Sequence, residues 1–171
     1  DRPNFHIVND DFITHDFGDQ KFDLIYSAAT IQWIPEQIAF EKTFSLLRPG
    51  GVLAMMLTRG DYRTPNEALY QEIQKVYEAH WFPLEHYGQK FVYSNAVNYG
   101  YVDFERREYY GRRVMTADEY VAFSGTHCDH INIPEPHRTP FFEGLRNAVL
   151  AAGDRIVFDD TYVLMLARKP I

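Results

Sequence analysis

The stretch from Phe22 to Gly51 constrains the fold more than any other part of the chain. An apolar strand, Phe22 to Ala28, leads to a helix that opens at Pro35 and ends at the turn Pro49-Gly50-Gly51. A second apolar strand, Val52 to Leu57, follows directly, so strand, helix and strand fit within about 36 residues. This is the length of a right-handed crossover, which joins two parallel strands of one sheet.

The first of these strands is continuously apolar after Asp23. A run of consecutive apolar residues is typical of the centre of a parallel sheet, where helices cover both faces of the strand. We therefore expect an α/β fold in which Phe22 to Ala28 is buried on both sides.

Composition excludes several other classes of protein. With 46% hydrophobic and 24% charged residues, the 171-residue chain is globular, and it has no apolar run of the ~20 residues that a membrane-spanning helix needs. The net charge of -7 and the alternation of arginine with glutamate between Glu105 and Arg113 argue against nucleic acid as a partner and favour a solvated strand face. The single cysteine, Cys128, excludes an internal disulfide and is typical of a cytoplasmic, reducing location.

The rest of the chain alternates between strand and helix patterns. The predicted strands are Phe5 to Val8, Phe104 to Val114 and Ile156 to Ala167; the predicted helices run from Thr64 to about Trp81, from Thr116 through Phe123 and from Thr139 to Gly153. Thr116 and Glu119 form a capping-box pattern, which marks the start of a helix. Residues 82–102 have no clear period, so we expect 60–103 to be a helix-plus-loop lid inserted in a single domain, 1–171.

Several motifs together resemble the class I S-adenosylmethionine-dependent methyltransferases. They are Phe22-Asp23-Leu24-Ile25, Gln32-Trp33-Ile34-Pro35 and Leu46-Leu47-Arg48-Pro49-Gly50-Gly51-Val52-Leu53. The Gln-Trp-Ile-Pro motif is similar to the trans-aconitate-methyltransferase-like branch. The C-terminal part agrees with that branch at Tyr109-Tyr110, Tyr120-Val121, Asp129-His130, Pro134-Glu135 and Leu166-Ala167-Arg168-Lys169.

The resemblance implies a seven-stranded Rossmann-like sheet in the order 3-2-1-4-5-7-6, with helices on both faces and the last strand, 7, antiparallel. S-adenosyl-L-methionine would lie across the carboxyl ends of the strands, as ligands generally do in open α/β sheets. The chain has no glycine-rich turn between a strand and a helix, and it begins at Asp1 without a leader. We therefore expect a truncated domain that carries strands 3–7 only and is inactive by itself.

Loss of strands 1 and 2 would leave the Phe22 to Ala28 strand, strand 4 of the family, with an unpaired apolar edge. Such an edge is a template for pairing with another strand. We expect either a homodimer formed through this edge or an edge that residues 1–12 cover.

The resemblance also implies which residues contact the cofactor. Asp11 and Phe12 match the position that holds the adenine, although a solvated Asp-Asp turn is the alternative. Ser27, Ala28 and Ala29 would run beneath the cofactor, because small side chains let a ligand approach the backbone. Gln32 and Trp33 would form a wall of the pocket, although Trp33 is also compatible with a place in the core.

Methyl transfer from a sulfonium is an in-line displacement, which needs alignment and a dry site more than acid-base groups. For the trans-aconitate-like branch, the acceptor is a small molecule methylated on a carboxylate oxygen, and no catalytic side chain can be assigned. Arg59, Tyr62 and Tyr110 are the candidates to bind such an acceptor, since arginine can bind a carboxylate bidentately. The alternative for Arg59 is a surface arginine beside Asp61.

Two other functions remain open from the sequence. The cluster from Thr126 to His130 contains zinc-ligand types, but its spacing matches no closed zinc site, and we expect a loop that Asp129 and His130 order. A zinc-dependent hydrolase is therefore the weaker alternative, and we expect no metal. The stronger alternative to a small-molecule methyltransferase is a non-catalytic dimerising scaffold derived from the same fold.

Overall fold

The computed structural model describes residues 4–82 and 91–171. Its strands are β1 (Phe22–Ala28), β2 (Leu47–Asp61), β3 (Val102–Met115) and β4 (Ile156–Arg168), and its α-helices are α1 (Glu36–Leu46), α2 (Glu67–His80), α3 (Ala117–Ser124), α4 (Cys128–Ile131) and α5 (Arg138–Ala151). Short 3₁₀ turns occupy Ile31–Trp33, Thr64–Asn66 and Tyr93–Tyr99. No helix in these ranges is long and apolar enough to cross a membrane.

The strands form one sheet in the order β1-β2-β4-β3. β1 and β2 are parallel, with Ile25 opposite Leu53 and Ala28 opposite Met56, and the other pairs are antiparallel. This confirms the α/β class and the predicted order 4-5-7-6 of the four strands that carry the family numbering. The crossover between β1 and β2 contains α1, as the spacing of Phe22 to Leu57 predicts.

The predicted strand 3 is wrong, because residues 4–10 contain no strand. Phe5, Ile7 and Val8 are exposed rather than paired. A run of four apolar and aromatic residues is too short to specify a strand unless a neighbouring strand supplies hydrogen bonds. Within the described ranges, these residues therefore do not cover the outer edge of β1.

The prediction that β1 is buried on both faces is also wrong. Leu24 is 57% exposed and Tyr26 is 68% exposed, whereas Phe22 and Ile25 are half-buried. β1 is an edge strand of the four-stranded sheet, and one of its faces has no covering helix among the described residues. The apolar run indicates a strand that is suited to burial, but it does not specify what covers the strand.

The chain divides into two compact units. The described residues of the first unit are 4–57, 91–107 and 164–171, and its core forms where α1 meets the turn Tyr93–Tyr99. Phe40 is fully buried, with its ring centroid 5.1 Å from those of Phe91 and Tyr99. The Glu36 carboxylate accepts hydrogen bonds from Val92 N at 3.0 Å and Asn95 Nδ2 at 2.9 Å, so it fixes this turn to the start of α1.

The second unit contains residues 58–82 and 108–163 of the described chain, and α2, α3 and α5 pack around its core. Its buried side chains are Leu69, Ile73, Ala117, Tyr120, Ile133, Phe141, Leu145, Val149, Ile156 and Phe158. The predicted capping box is confirmed, because Thr116 Oγ1 accepts from Glu119 N and Glu119 Oε2 accepts from Thr116 N. α2 contributes two residues to this core, and a lid over 60–103 stays a prediction.

Candidate functional site

A sharp turn follows β1 at its carboxyl end. Ala29 has a φ of 57°, in the left-handed region that residues with a Cβ rarely adopt, and its N–H donates to Met56 O at 2.7 Å. Ser27 Oγ accepts from Ile31 N at 2.9 Å and bonds Thr30 Oγ1 at 2.8 Å. Because strained backbone of this kind concentrates at ligand sites, the turn is the first candidate for a binding site.

At the same turn, hydrogen bonds fix the Gln32 side chain, whereas the Trp33 side chain is exposed. Gln32 Nε2 donates to Ala29 O at 2.9 Å, and Tyr93 O–H donates to Gln32 Oε1 at 3.4 Å. Trp33 is 57% exposed and is therefore not a core residue. Five of the seven predicted cofactor residues, Ser27, Ala28, Ala29, Gln32 and Trp33, thus lie together at the carboxyl end of β1.

Asp11 and Phe12, the other two predicted cofactor residues, lie near the opposite end of β1. Asp11 Oδ1 accepts from Ile13 N at 2.8 Å, so the carboxylate closes its own turn. Phe12 contacts Phe17 at 6.0 Å between ring centroids, and Phe17 contacts Phe22, the first residue of β1, at 6.0 Å. A strand of this length separates its two ends by about 20 Å, so the structure does not bring Asp11 and Phe12 to the turn.

A cavity of about 660 Å³ lies at this amino end of β1. Its lining residues are Asn4, Phe5, His6, Val8, Asp10, Phe12, His15, Phe17, Gln20 and Phe22. Asp10 Oδ2 lies 2.7 Å from His15 Nδ1, and this hydrogen bond lowers the pKa of Asp10. The Lys42 ammonium donates to the carbonyls of Ile13 and His15, so it ties this loop to α1.

A second cavity, of about 460 Å³, lies within the second unit. It is lined by Thr58, Gly60, Tyr62, Arg113, Phe123, His127, Phe158 and Tyr162. We call it the aromatic cavity, because four of these eight residues carry a phenyl or phenol ring. The residues come from β2 and the segment after it, β3, α3, the loop before α4, and β4, so they are distant in sequence.

An ion pair between Arg113 and Asp160 supports the aromatic cavity. Arg113 Nη2 donates to Asp160 Oδ1 at 2.8 Å, Nε donates to Oδ2, and the Asp160 side chain is fully buried. The guanidinium also lies over the rings of Phe123, at 4.8 Å, and Phe158, at 5.3 Å. These interactions occupy the one full positive charge of the lining, so the lining is close to neutral overall.

His127 supplies the titratable nitrogen of the aromatic cavity. Its ring is half-buried and meets Phe123 edge-on at 4.7 Å between centroids. Burial is the main cause that lowers the pKa of His127, His130 and Arg113 lower it further, and Asp129 opposes them. His127 is therefore neutral at pH 7, with one ring nitrogen available as a hydrogen-bond acceptor.

His130 orders the loop next to His127. His130 lies within a group of possible metal ligands with His127 and Asp129, whose donor atoms are within 4.8 Å of one another. However, His130 Nδ1 lies 2.9 Å from Ser124 O, which can only accept, so Nδ1 carries a hydrogen, and Nε2 is hydrogen-bonded to the Tyr77 hydroxyl at 3.0 Å. A metal ion would have to break one of these bonds, so the donor set suits loop ordering better than metal binding.

Of the predicted substrate residues, the aromatic cavity includes Tyr62 but not Arg59 or Tyr110. Burial raises the pKa of Tyr62, whose hydroxyl accepts from Gln74 Nε2 at 3.2 Å. Arg59 is exposed, and Tyr110 is 76% exposed with its hydroxyl donating to Glu108. Side chains alternate along β3, so Tyr110 lies on the opposite face from Arg113.

Sequence reasoning missed Arg113, His127 and Asp160. The pattern that could have identified the ion pair is the doublet Arg112-Arg113 in one predicted strand and Asp159-Asp160 in its predicted neighbour. Opposite charges on adjacent strands pair across the sheet, and both pairs form. No sequence pattern indicates that His127 lines a cavity, because it lies in an irregular segment.

Comparisons with known proteins agree with this architecture. The family model described as Methyltransferase domain matches residues 1–55, and no curated protein matches the chain in a sequence search. A protein described as a candidate type II methyltransferase from Anaeromyxobacter dehalogenans is similar in structure at TM-score 0.53 and 16% identity, covering 88% of this chain and 66% of its own. A candidate methyltransferase from Bacillus halodurans gives TM-score 0.51, 14% identity, and 96% and 78% coverage. The YcgJ protein from Bacillus subtilis gives TM-score 0.51, 11% identity, and 93% and 68% coverage.

The fold is that of the Rossmann-like methyltransferases. The residues matched by the family model contain β1, its turn and α1, so the turn belongs to the part of the chain that carries the methyltransferase-domain match. The chain spans between 66% and 78% of the lengths of these three structural relatives.

The turn has features that fit the cofactor of this methyltransferase fold. Ala28 and Ala29 are exposed, so their small side chains leave the backbone open to a ligand. Ala29, with its left-handed conformation, follows the last residue of β1, so the turn lies at the carboxyl end of the strand, where ligands of open α/β sheets bind. Ser27, Ala28, Ala29, Gln32 and Trp33 are therefore the candidates at this turn for contact with a ligand.

Proposed function

We propose that this chain belongs to an S-adenosyl-L-methionine-dependent methyltransferase that acts on a small molecule in the cytoplasm. The observation that carries the proposal is the strained turn at Ala29, which follows a parallel strand and lies within the region of the methyltransferase-domain match. When bound, the cofactor supplies an electrophilic methyl group. The task of the chain is then to hold cofactor and acceptor in line and to exclude water.

Within this proposal, Gln32 and Trp33 form one side of the cofactor site. The hydrogen bond from Gln32 to Ala29 O makes the wall rigid, and Trp33 offers an exposed ring against which a flat ligand can pack. Asp11 and Phe12 remain proposed adenine contacts, and this role requires the loop before β1 to take another path when the cofactor is bound.

O-methylation of a carboxylate, as in the trans-aconitate-like branch, is a finer version of the proposal. It requires a cation to bind the acceptor. Arg59 lies near the end of β2, and Arg113 lines the aromatic cavity. Arg59 is exposed to solvent, and Arg113 is bound to Asp160. Arg59 is therefore the residue on which this version depends.

The proposal is tested by calorimetric titration of the chain with S-adenosylhomocysteine. We expect micromolar binding, and we expect Ala28→Leu to weaken it at least about tenfold, because a larger side chain covers the backbone of the turn. Tyr26→Leu is the matched control, since it changes an exposed residue of the same strand and should leave affinity unchanged. Absence of heat at millimolar ligand would contradict cofactor binding by this chain.

A dimerising scaffold is the second candidate function. The outer edge of β1 presents backbone N–H and C=O groups, and Leu24 and Tyr26 beside it are exposed. We propose that a second copy of the chain pairs its β1 with this edge, because a two-fold axis lets identical apolar strands cover each other.

Sedimentation tests the scaffold. The chain should sediment as a dimer at micromolar concentration, and Tyr26→Lys should convert it to a monomer. Tyr110→Lys is the control, because Tyr110 is a comparably exposed tyrosine on β3, the other edge strand. A monomeric parent chain, or equal effects of the two substitutions, would exclude pairing through β1.

A further inference from the structure

We propose that the aromatic cavity binds an uncharged, planar molecule whose hydroxyl group donates a hydrogen bond to His127. The inference rests on the proposed function only in naming this molecule as the methyl acceptor, and an uncharged acceptor would replace the carboxylate version of that function. Binding to the cavity does not itself require the cofactor.

The size and walls of the cavity favour a planar ligand. A volume of about 460 Å³ lies within the usual range for small-molecule sites, roughly 300–1,000 Å³. Tyr62, Phe123, Phe158 and Tyr162 provide ring faces and edges, against which an aromatic ligand packs in stacked or edge-on geometry. The Tyr62 and Phe158 rings already contact each other at 5.3 Å between centroids, so this wall is formed without a ligand.

The charges of the cavity disfavour an ionised ligand. The Arg113 guanidinium is bound to Asp160 through two nitrogens, and Tyr162 O–H donates to Asp160 Oδ2 at 3.3 Å. A carboxylate in the cavity would compete with Asp160, which is fully buried and cannot move into water. A ligand cation would meet Arg113, so either charge would be desolvated without a free partner.

His127 gives the cavity its preference for a hydroxyl donor. The groups that face its ring are Arg113 from β3, Asp129 and His130 from α4, and Phe123 from α3. Burial first, and then His130 and Arg113, lower the pKa of His127 against the opposing effect of Asp129, so the imidazole is neutral and able to accept. Thr58 adds a small hydroxyl to the lining, and in the sequence it stands two residues after Met56, which accepts the hydrogen bond of the Ala29 turn.

The test uses three probes that share a naphthalene ring and differ in one substituent: naphthol, methoxynaphthalene and naphthoate. We expect naphthol to bind the chain in calorimetry, and methoxynaphthalene, which has no hydroxyl donor, to bind about tenfold more weakly. Naphthoate should bind more weakly than naphthol, because its charge has no partner in the cavity.

Substitution of His127 tests whether this residue accepts the hydrogen bond of the naphthol hydroxyl. His127→Ala should weaken naphthol about tenfold and leave methoxynaphthalene unchanged, whereas a merely structural effect would weaken both. His15→Ala, which alters the other cavity, is the control and should change neither affinity. Affinity for naphthol should also fall on acidification of the parent chain, as His127 gains a proton and can no longer accept.

Other outcomes overturn the inference. Tighter binding of naphthoate than of naphthol would assign the cavity to a carboxylate, and absence of binding by all three probes would exclude a planar ligand. Because the probes are titrated without cofactor, their binding and that of S-adenosylhomocysteine can fail independently. If naphthol binds and S-adenosylhomocysteine does not, the result contradicts the proposed methyltransferase function of this chain and still supports the aromatic cavity as a ligand site.

Discussion

Arg113 donates two hydrogen bonds to the Asp160 carboxylate, and the Asp160 side chain is completely buried. One position earlier on each strand, Arg112 binds Asp159 in the same bidentate way at 2.6 and 3.0 Å, but both side chains are open to water. The two ion pairs have the same chemistry and differ in burial. Comparing them therefore separates the effect of burial on stability from the effect of charge.

Asp160→Asn should therefore lower the free energy of unfolding by about 2 kcal/mol, because it leaves the partly buried Arg113 charge without its carboxylate. Asp159→Asn, the matched control, should cost less than about 1 kcal/mol, since water replaces the lost partner of Arg112. Urea unfolding measures both variants. Equal losses would show that burial of the Arg113 pair contributes nothing.

Tyr101 should make stability depend on alkaline pH. Its hydroxyl bonds Thr43 Oγ1 at 2.8 Å, and burial raises its pKa to about 12. The unfolded chain releases this proton near pH 10, so the stabilisation is complete below about pH 10 and is lost as pH rises toward about 12.

Urea unfolding at about pH 8 and about pH 11 compares the parent chain with Tyr101→Phe. The variant should be about 1 kcal/mol less stable at the lower pH, and the difference should narrow at the higher pH. Other buried tyrosines titrate in both proteins and cancel in the comparison. A constant difference would mean that Tyr101 ionises as it does in the unfolded chain.

Gly144→Ala should destabilise the packing of α5 against α2. An added Cβ would lie 2.8 Å from Val76 Cγ1 and 3.0 Å from Cγ2, and a β-branched side chain cannot easily turn away. Alanine has a higher helix propensity than glycine, which stabilises the variant by up to about 1 kcal/mol. Overpacking against Val76 costs about 1–3 kcal/mol, so we expect the free energy of unfolding to fall by about 1 kcal/mol overall.

A second substitution, Val76→Ala, should remove the clash in the Gly144→Ala chain. Val76→Ala should therefore lower the free energy of unfolding less in the Gly144→Ala chain than in the parent chain. Gly125→Ala serves as control, because its added Cβ would meet nothing nearer than 3.4 Å. Thermal unfolding of the parent chain, the two single variants, the double variant and the Gly125→Ala control measures these effects. Additive effects of the substitutions at Gly144 and Val76 would exclude the contact as the cause.

Ala29→Gly should stabilise the chain, because glycine adopts the left-handed conformation without a Cβ penalty. Removing the Cβ should relieve about 1–2 kcal/mol of backbone strain in the folded state. This exceeds the free-energy cost of the greater conformational freedom that glycine gives the unfolded chain, so the free energy of unfolding should rise by about 0.5–1 kcal/mol. Ala28→Gly, in the extended strand beside it, should instead lose stability. Chemical denaturation of both variants tests this opposite sign.

The elements that could be predicted from the sequence are those that local chemistry specifies. The Thr116 capping box starts α3, the alternation around Arg113 indicates β3, and Gly153, with φ 92°, follows the end of α5. These features act within a few residues, so a single sequence contains them. The exposure of Leu24 and the absence of a strand at Phe5 depend on which segments cover a sheet edge, and no local pattern specifies that.

The candidate site divides in the same way. Ser27 to Trp33 follow a strand directly, so their place at its carboxyl end could be predicted from order along the chain. The aromatic cavity combines Tyr62, Arg113 and His127, which come together only through tertiary packing. Asp11 matches a family motif, yet its carboxylate closes a local turn, because short-range hydrogen bonds compete with the long-range placement that the motif requires.

Near the C-terminus, Lys169 holds the corner between α1 and β2. Its ammonium donates to Phe44 O and Leu47 O, both at 2.8 Å, and lies 4.7 Å from the centre of the Phe44 ring. The carbonyls at the end of a helix otherwise lack partners, so α1 is completed by a residue more than 120 positions away. Contacts of such long sequence separation form late in folding, and this helix end should therefore gain its protection from hydrogen exchange only after β4 has docked.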